Sequence, residues 1–247
     1  MQSDPPDLDS RCALFLDFDG TLVDIAPTPD AVVVPPGLTE ALGRLSRWLD
    51  GAIALISGRP ISQLDRWLAP LALPAAGVHG AERRRADGVV ERRALPELDA
   101  VAHVAQALAM AHPGLLVERK TCAVALHYRG APQCEALCRA AMQDVAARQP
   151  ALHLMNGKMV IEVLPRGVSK GHAVEQFMGE APFEGRRPVF VGDDVTDEAG
   201  FEAVQRAGGV AVRVGLGPSV AAHGLASPQA VFRWLTVPLG VAPEPTT

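Results

Sequence analysis

The chain has 247 residues, 48% of them hydrophobic, and carries 23 Lys and Arg against 28 Asp and Glu, a formal charge of −5. This length suits one large or two small domains with a sizeable core, and the acidic balance argues against a nucleic-acid partner. No apolar run reaches the roughly 20 residues that span a bilayer, and the acidic start MQSDPPDLDSR does not resemble a signal peptide. We therefore expect a cytoplasmic protein that does not bind membranes.

The first third of the chain alternates between strand and helix patterns. The apolar segments CALFLDF, GAIALISG and LPAAGVHG predict buried strands, and LTEALGRLSRWL and PISQLDRWL predict amphipathic helices between them. Trp48 and Trp67 lie at apolar helical positions and are predicted core residues. Continuous apolar strands between amphipathic helices are typical of a parallel sheet covered on both faces.

The middle of the chain has a different pattern. Asp87-Gly88 and Asn156-Gly157 are hairpin signals, and two helices are predicted, over about Leu98 to His112 and Pro132 to Arg148. Together these features predict an inserted α+β domain with an antiparallel sheet over residues 82–165. Cys134 and Cys138 are read as buried small residues, although a zinc site with His127 remains an alternative.

The last third returns to the first pattern. SKGHAVEQFM and TDEAGFEAVQRAGG predict helices, and RPVFVGDD and VAVRVG predict buried strands. The predicted fold is therefore α/β, with a parallel-sheet core formed by residues 1–81 and 166–247 and interrupted by the insert.

Polar groups gather where the predicted core strands end. Asp17 and Asp19 follow the first strand, Ser57 and Arg59 the second, and Asp193 and Asp194 a late one, while Lys170 begins a helix. Ligands bind outside the carboxyl ends of the strands in open parallel sheets. Carboxylates collected there repel one another and need a cation, and oxygen-only ligands favour Mg²⁺. One carboxylate could then attack a phosphorus atom while its neighbour moves a proton.

These residues form recognisable motifs. DFDGT, ISGR, SKG and GDDVTDE are similar, in this order, to the four motifs of the haloacid dehalogenase-like (HAD) phosphatases. The segments DFDGTLVDIAPTPD, AGVHGAERR, GKMVIEVLPRGVSKG and VFVGDDVTDEAGF further resemble the trehalose-6-phosphate phosphatase family, over about Ala13 to Leu235. The resemblance implies a HAD-like Rossmannoid core, an inserted cap that selects the substrate, and hydrolysis of trehalose 6-phosphate by a monomer.

The resemblance also implies a role for each motif residue. Asp17 is the implied nucleophile and Asp19 the implied general acid and base. The implied Mg²⁺ ligands are Asp17, Asp193 and the backbone carbonyl of Asp19, with Asp194 and Asp197 supporting the metal site. The implied catalytic set also includes Ser57 and Lys170, and the implied phosphate-binding set is Gly20, Thr21, Ser57, Gly58, Arg59 and Lys170.

The predicted strands of the insert alternate between apolar and charged residues, which places the two kinds on opposite faces. Mixed acids and bases suit a neutral polyhydroxyl compound, because carboxylates accept hydrogen bonds from sugar hydroxyls and lysines donate them. An ordinary solvated sheet face would show the same alternation. The candidate sugar-binding residues are Glu118, Lys120, His127, Arg129, Asn156, Lys158 and Glu162.

Other readings stay open at this point. A phosphatase for another sugar phosphate, or a phosphomutase, would share the same core motifs. A non-catalytic sensor is expected to lack Asp17 or Asp19, and both are present. A calcium-binding module built on GDDVTDE would need the loop glycine and distal glutamate of an EF-hand, which this segment lacks. His79, in GVHGAE, is either a structural histidine or a substrate contact.

Overall fold

The chain alternates strands and helices as the sequence predicts, in a computed structural model that describes residues 2–28, 30–93, 97–120 and 123–240. The strands are β1 Cys12–Leu16, β2 Ile53–Ile56, β3 Ala75–Gly77, β4 Glu82–Arg84, β5 Val90–Arg92, β6 Leu116–Arg119, β7 Val124–His127, β8 Leu152–Gly157, β9 Val160–Pro165, β10 Arg187–Gly192, β11 Val210–Val214 and β12 His223–Leu225. The helices are α1 Leu38–Trp48, α2 Ile61–Leu68, α3 Asp99–Ala111, α4 Glu135–Ala147, α5 Lys170–Met178, α6 Glu198–Arg206 and α7 Pro228–Thr236. None of the helices in these ranges is long and apolar enough to cross a membrane.

The chain consists of two compact units. The first comprises Met1–Glu91 and Ser169–Thr247, and the second comprises Arg92–Val168. The first unit contains a sheet of order β12-β11-β10-β1-β2-β3-β4-β5, in which the strands from β12 to β3 are parallel. The predicted parallel α/β core is therefore confirmed.

The core of the first unit is built around its central strands. All residues of β1 and β2 are buried, so these strands are covered on both faces as their continuous apolar sequences predict. The Phe15 ring of β1 stacks on Phe183 at a centroid distance of 5.5 Å and lies 6.1 Å from Phe177 of α5. Trp48 and Trp67 pack against this core but are only partly buried. The ends of these buried strands therefore form a rigid edge of the sheet, which can carry polar side chains.

The hairpin of β4 and β5 extends the core sheet, whereas the predicted insert begins at residue 82. Glu82 and Arg83 are buried. The Glu82 carboxylate accepts a 2.6 Å hydrogen bond from the N–H of Ile61, and Arg83 forms a 2.9 Å ion pair with Glu180. These partners are distant in the sequence, so the run ERRR itself does not indicate that its charges are buried.

The second unit is an antiparallel sheet with two helices. Its strand order is β6-β7-β9-β8, and α3 and α4 share one apolar cluster with it. Leu126 and Ile161 are register partners within this cluster, beside Cys138 and Met142 of α4. The predicted α+β insert with an antiparallel sheet is confirmed.

Helices α5 and α6 approach closely because Gly171 has no side chain. A Cβ atom at this position would lie 2.4 Å from the carbonyl oxygen of Ala199 in α6. Gly171 follows Lys170, and α6 begins directly after Asp197. The close approach therefore brings two predicted site residues towards each other.

Gly171→Ala should lower the free energy of unfolding by about 1–3 kcal/mol, because the added methyl group meets backbone that cannot rotate away. Urea unfolding measures the change. Gly179→Ala is the matched control at the other end of α5, since its Cβ would lie no closer than 3.5 Å to a neighbouring atom. Equal losses in the two variants would show that the contact between α5 and α6 is not tight.

Candidate active site

Three carboxylates meet where β1 and β10 end. Leu16 and Val191 are register partners in these parallel strands, and the N–H of Asp17 donates a 2.9 Å hydrogen bond to the carbonyl of Val191. Asp193 follows β10 in the same way. Asp17, Asp193 and Asp197 each offer one carboxylate oxygen within 4.8 Å of the other two. The cluster thus follows directly from the parallel pairing of two strands that both end in aspartate.

Asp197 organises the turn that follows β10. Its side chain is fully buried, and its Oδ2 accepts hydrogen bonds from the N–H groups of Asp193 at 3.1 Å and Asp194 at 2.9 Å. Its Oδ1 accepts a 2.6 Å hydrogen bond from Nζ of Lys170. Asp194 instead caps the turn through its own carboxylate, which accepts from the N–H of Val195. Asp197 therefore belongs to the carboxylate cluster and also fixes the turn that carries Asp193 and Asp194.

Lys170 supplies the positive charge of the cluster. It is the first residue of α5, directly after Ser169, whose hydroxyl caps the helix by accepting from the N–H of His172. Its buried ammonium lies 2.8 Å from Oδ1 of Asp17 and 2.6 Å from Oδ1 of Asp197. Burial alone would lower the pKa of Lys170, but the charges of the two aspartates outweigh it and raise the pKa, so the side chain stays cationic.

The cluster carries more negative than positive charge. Burial raises the pKa of Asp17, and Asp197 and Asp193 raise it further, while Lys170 acts in the opposite direction. Lys170 pairs with two of the three carboxylates, Asp17 and Asp197, and all three offer oxygen ligands. A hard divalent cation fits this donor set, because it would compensate the excess charge.

Gly20 closes one side of the cluster with bare backbone. A Cβ atom there would lie 2.2 Å from Oδ2 of Asp193, and the residue has φ +79°. Next to it, Thr21 is fully buried, and its Oγ1 has no hydrogen-bond partner within the part of the chain that the structure describes. A buried hydroxyl in this position is available to an oxygen of a ligand.

Asp19 has a different environment from Asp17. Its carboxylate accepts two hydrogen bonds from the guanidinium of Arg59, from Nε at 2.7 Å and from Nη2 at 2.8 Å. The Asp19 side chain is 28% exposed, whereas that of Asp17 is 6% exposed. Asp17 and Asp19 are thus bound by different cations, Lys170 and Arg59, and Asp17 is the more deeply buried of the two.

Arg59 belongs to the loop Ser57–Arg59 at the end of β2. Ser57 is buried, its N–H donates to the carbonyl of Ala76 at 2.9 Å, and its Oγ accepts from the N–H of Arg59 at 3.1 Å. The loop is thereby fixed to the neighbouring strand β3. Gly58 in its centre brings bare backbone to the same edge of the sheet.

The turn after β3 braces this loop with strained backbone. The φ angles of Val78 and His79 are positive, at 47° and 58°. A positive φ is uncommon for any residue other than glycine and is especially unusual for a β-branched residue such as Val78. The N–H of Val78 donates to the carbonyl of Arg59 at 3.0 Å, and the N–H of His79 donates to that of Ser57 at 2.9 Å. His79 is buried. Its backbone therefore supports the loop, a role that nothing in GVHGAE indicated.

The second unit collects charged side chains on one face of its sheet. Glu118 and Glu162 are both register partners of Ala125, so they lie on the same face, and His127 lies two residues further along β7. Lys120 is buried and forms an ion pair with Glu162. Two further candidates, Arg129 and Lys158, are exposed and lie in turns, the first after β7 and the second between β8 and β9.

Asn156 lies on the other face of this sheet. Its register partner is Ile161, which belongs to the apolar cluster, and its side chain accepts a hydrogen bond from Arg139 of α4. Cys134 and Cys138 also belong to that cluster, away from His127. The structure therefore separates Asn156 from Glu118, His127 and Glu162, and it separates His127 from Cys134 and Cys138, the other two residues of the alternative zinc site.

Glu118 has one engaged and one available oxygen. Its Oε2 lies 3.0 Å from Nε2 of His127, and its Oε1 is buried with no hydrogen-bond partner in the described ranges. Burial would raise the pKa of Glu118, but the hydrogen bond from His127 and the charge of Lys120 outweigh it and lower the pKa. The carboxylate is therefore a strong acceptor for a hydroxyl group.

Comparison with known proteins relates the whole of this arrangement to one family. The trehalose-phosphatase family model matches residues 15–229. The chain is 45% identical to a trehalose-6-phosphate phosphatase of Escherichia coli K12, over 94% of this chain and 88% of that protein, and 46% identical to a probable trehalose-phosphate phosphatase of Sinorhizobium fredii, over 85% and 79%. Its fold is similar to the C-terminal domain of C. albicans trehalose-6-phosphate phosphatase, with a TM-score of 0.85 and 24% identity over 95% of this chain and 93% of that one.

Proposed function

The chain belongs to the trehalose-phosphatase family, and we propose that it is a Mg²⁺-dependent phosphatase that hydrolyses trehalose 6-phosphate to trehalose and phosphate. The observation that carries the proposal is the buried cluster in which Lys170 lies between Asp17 and Asp197. This cluster combines a carboxylate nucleophile with a cation that can bind phosphoryl oxygens. The decisive experiment is phosphate release from a panel of sugar phosphates, with and without Mg²⁺. Faster release from another sugar phosphate would overturn the substrate assignment and leave the reaction class in place.

Asp17 is proposed to attack the phosphorus atom. A bond forms between its carboxylate oxygen and phosphorus while the bond from phosphorus to the sugar oxygen breaks, and Asp19 gives a proton to that leaving oxygen. Asp19 then takes a proton from water, which attacks the aspartyl phosphate and releases inorganic phosphate. Lys170 and Ser57 are proposed to hold the phosphoryl oxygens, and the hydroxyl of Thr21 is proposed to donate to one of them.

Mg²⁺ is proposed to bind to the carboxylates of Asp17 and Asp193 and to the backbone carbonyl of Asp19, where it would neutralise phosphoryl charge. The charge balance of the cluster supports this, because burial and two neighbouring carboxylates favour the protonated form of Asp17. A protonated carboxyl group is a poor nucleophile. A second cation beside Lys170 would keep Asp17 ionised.

The first unit is proposed to act as the catalytic core and the second as the cap that recognises the sugar. Glu118, Lys120, His127 and Glu162 are proposed to bind hydroxyl groups, supported by the available oxygen of Glu118. The domain limits at residues 82 and 165, the monomeric state and the cytoplasmic location stay predictions.

Asp17→Asn should fold normally and lose nearly all turnover, because the amide cannot attack phosphorus. Phosphate release measures this, and urea unfolding checks the fold. A variant that keeps more than about a tenth of the wild-type rate, equivalent to about 1.4 kcal/mol in the barrier, would refute the nucleophile assignment.

Mg²⁺ should stabilise the folded chain, by about 2.7 kcal/mol at a hundredfold excess over Kd, and Asp193→Asn should reduce this shift. Folding raises the pKa of Asp17, so the folded state of the metal-free protein favours the protonated carboxyl group. The free energy of unfolding should therefore fall as the pH rises through the raised pKa. Since Mg²⁺ competes with this proton, its effect should be larger at about pH 8 than at about pH 5. Unfolding experiments at both pH values measure it, and a shift that is independent of pH or of Asp193 would contradict the site.

Glu118→Ala and Glu162→Gln should lower kcat/KM for trehalose 6-phosphate about ten- to a hundredfold, because sugar hydroxyls lose an acceptor worth about 1 to 3 kcal/mol. Glutamine is used at position 162 so that the partner Lys120 keeps a neighbour of the same size. Hydrolysis of p-nitrophenyl phosphate, which has no sugar, should change little.

Asn156→Ala is the matched control, because Asn156 lies on the opposite face of the same sheet. It should leave both substrates unaffected. If the glutamate variants lose activity equally on both substrates, these residues support the fold, and if they lose none, the face is an ordinary solvated one.

A further inference from the structure

The side chain of Trp67 connects the active-site loop to the segment that carries the two aspartates. Its ring stacks on Phe18, with a centroid distance of 5.5 Å and an interplanar angle of 4°. Phe18 is fully buried and lies between Asp17 and Asp19 in the chain. The guanidinium carbon of Arg59 lies over the same indole, 4.9 Å from the ring centroid. Trp67 therefore contacts both the side chain of Phe18, which directly precedes Asp19, and the cation that binds the Asp19 carboxylate.

Arg59 is held from several directions. Nε and Nη2 donate to the two carboxylate oxygens of Asp19, and Nη1 donates to Oε1 of Gln63 at 3.3 Å. A guanidinium is planar and donates its hydrogen bonds within that plane, so a bidentate pair forms only when the plane is correctly oriented. The indole of Trp67, one turn after Gln63 on α2, lies against the same guanidinium.

We propose that Trp67 is a positioning residue for catalysis, acting through Arg59 to hold the Asp19 carboxylate in place. This inference rests on the proposed role of Asp19 as general acid and base. It assigns no substrate contact to Trp67, because the ring is already stacked by Phe18 and approached by two guanidiniums, the second being Arg66 at 5.4 Å. A cation–π contact gains strength when water is excluded, and the Arg59 side chain is only 13% exposed.

Trp67→Leu should lower kcat about three- to thirtyfold, the range that corresponds to a cation–π contact, with little change in KM. The loss should occur with both trehalose 6-phosphate and p-nitrophenyl phosphate, because Asp19 also activates the water in the second step, which both substrates share. Trp67→Phe keeps an aromatic face for Arg59 and Phe18 and should recover most of the rate.

Arg66→Ala is the matched control. It removes the other guanidinium from the same ring, and Arg66 is exposed and pairs at 3.6 Å with Asp30 on the surface. Its kcat should equal that of the wild type. A loss as large as that of Trp67→Leu would mean that the ring acts through general packing of α2 and would overturn the proposal.

A double-mutant cycle with Arg59→Lys separates positioning from structural support. Lysine keeps the charge but lacks the planar fork, so Trp67→Leu should cost little further kcat in that background. An equal loss in both backgrounds, an unchanged kcat in Trp67→Leu, or an effect on KM alone would each overturn the proposal. Failure of the wild type to hydrolyse any phosphate ester would instead refute the proposed function, so the two failures are distinguishable.

Discussion

The ammonium of Lys170, buried between Asp17 and Asp197, is the interaction on which the rest of the site depends. Asp17 follows the end of β1, Lys170 lies at the start of α5, and Asp197 lies in the turn before α6. Removing an isolated charge from water costs several kcal/mol, and removing one partner of a buried pair leaves the other uncompensated. These elements therefore occupy their places only together. Gly171 supports this arrangement because it lets α5 approach α6 closely. The hydrogen bonds to Asp197 support it because they fix the turn before α6.

The parallel sheet explains why distant residues reach one edge. Every parallel strand ends on the same side, so β1, β2 and β10 deliver Asp17, Ser57 and Asp193 to neighbouring positions. Backbone groups complete the edge where side chains would be too large, as at Gly20. The strained turn of Val78 and His79 is retained because its N–H groups hold the loop of Ser57 and Arg59. Strain of this kind persists only where the surrounding structure over-determines it.

Much of this arrangement could be predicted from the sequence, because it depends on local patterns. An apolar run that ends in carboxylates indicates a buried strand with a polar end, and Asp17 and Asp193 were identified in this way, whereas Lys170 was identified by the family motif SKG. Long-range partners could not be predicted. The burial of Glu82 and Arg83 depends on Ile61 and Glu180, and a run of charged residues otherwise indicates a solvated surface. The hairpin signal Asn156-Gly157 placed the turn two residues too early, because both residues pair with β9 as part of β8 and the turn lies at Lys158 and Met159.

The environments of Asp17 and Asp19 divide the proposed chemistry between two identical side chains. Asp17 is buried among carboxylates that raise its pKa, while Lys170 acts in the opposite direction, so in the proposed mechanism a divalent cation would help to keep it ionised. Asp19 lies nearer the surface, where the fork of Arg59 can orient it without burying it. A nucleophile must stay ionised at one position, whereas an acid and base must exchange protons with a leaving group and with water. The stacking of Arg59 on Trp67 therefore matters for Asp19 in the way that Lys170 matters for Asp17, since each aspartate depends on a cation whose own position is fixed by the fold.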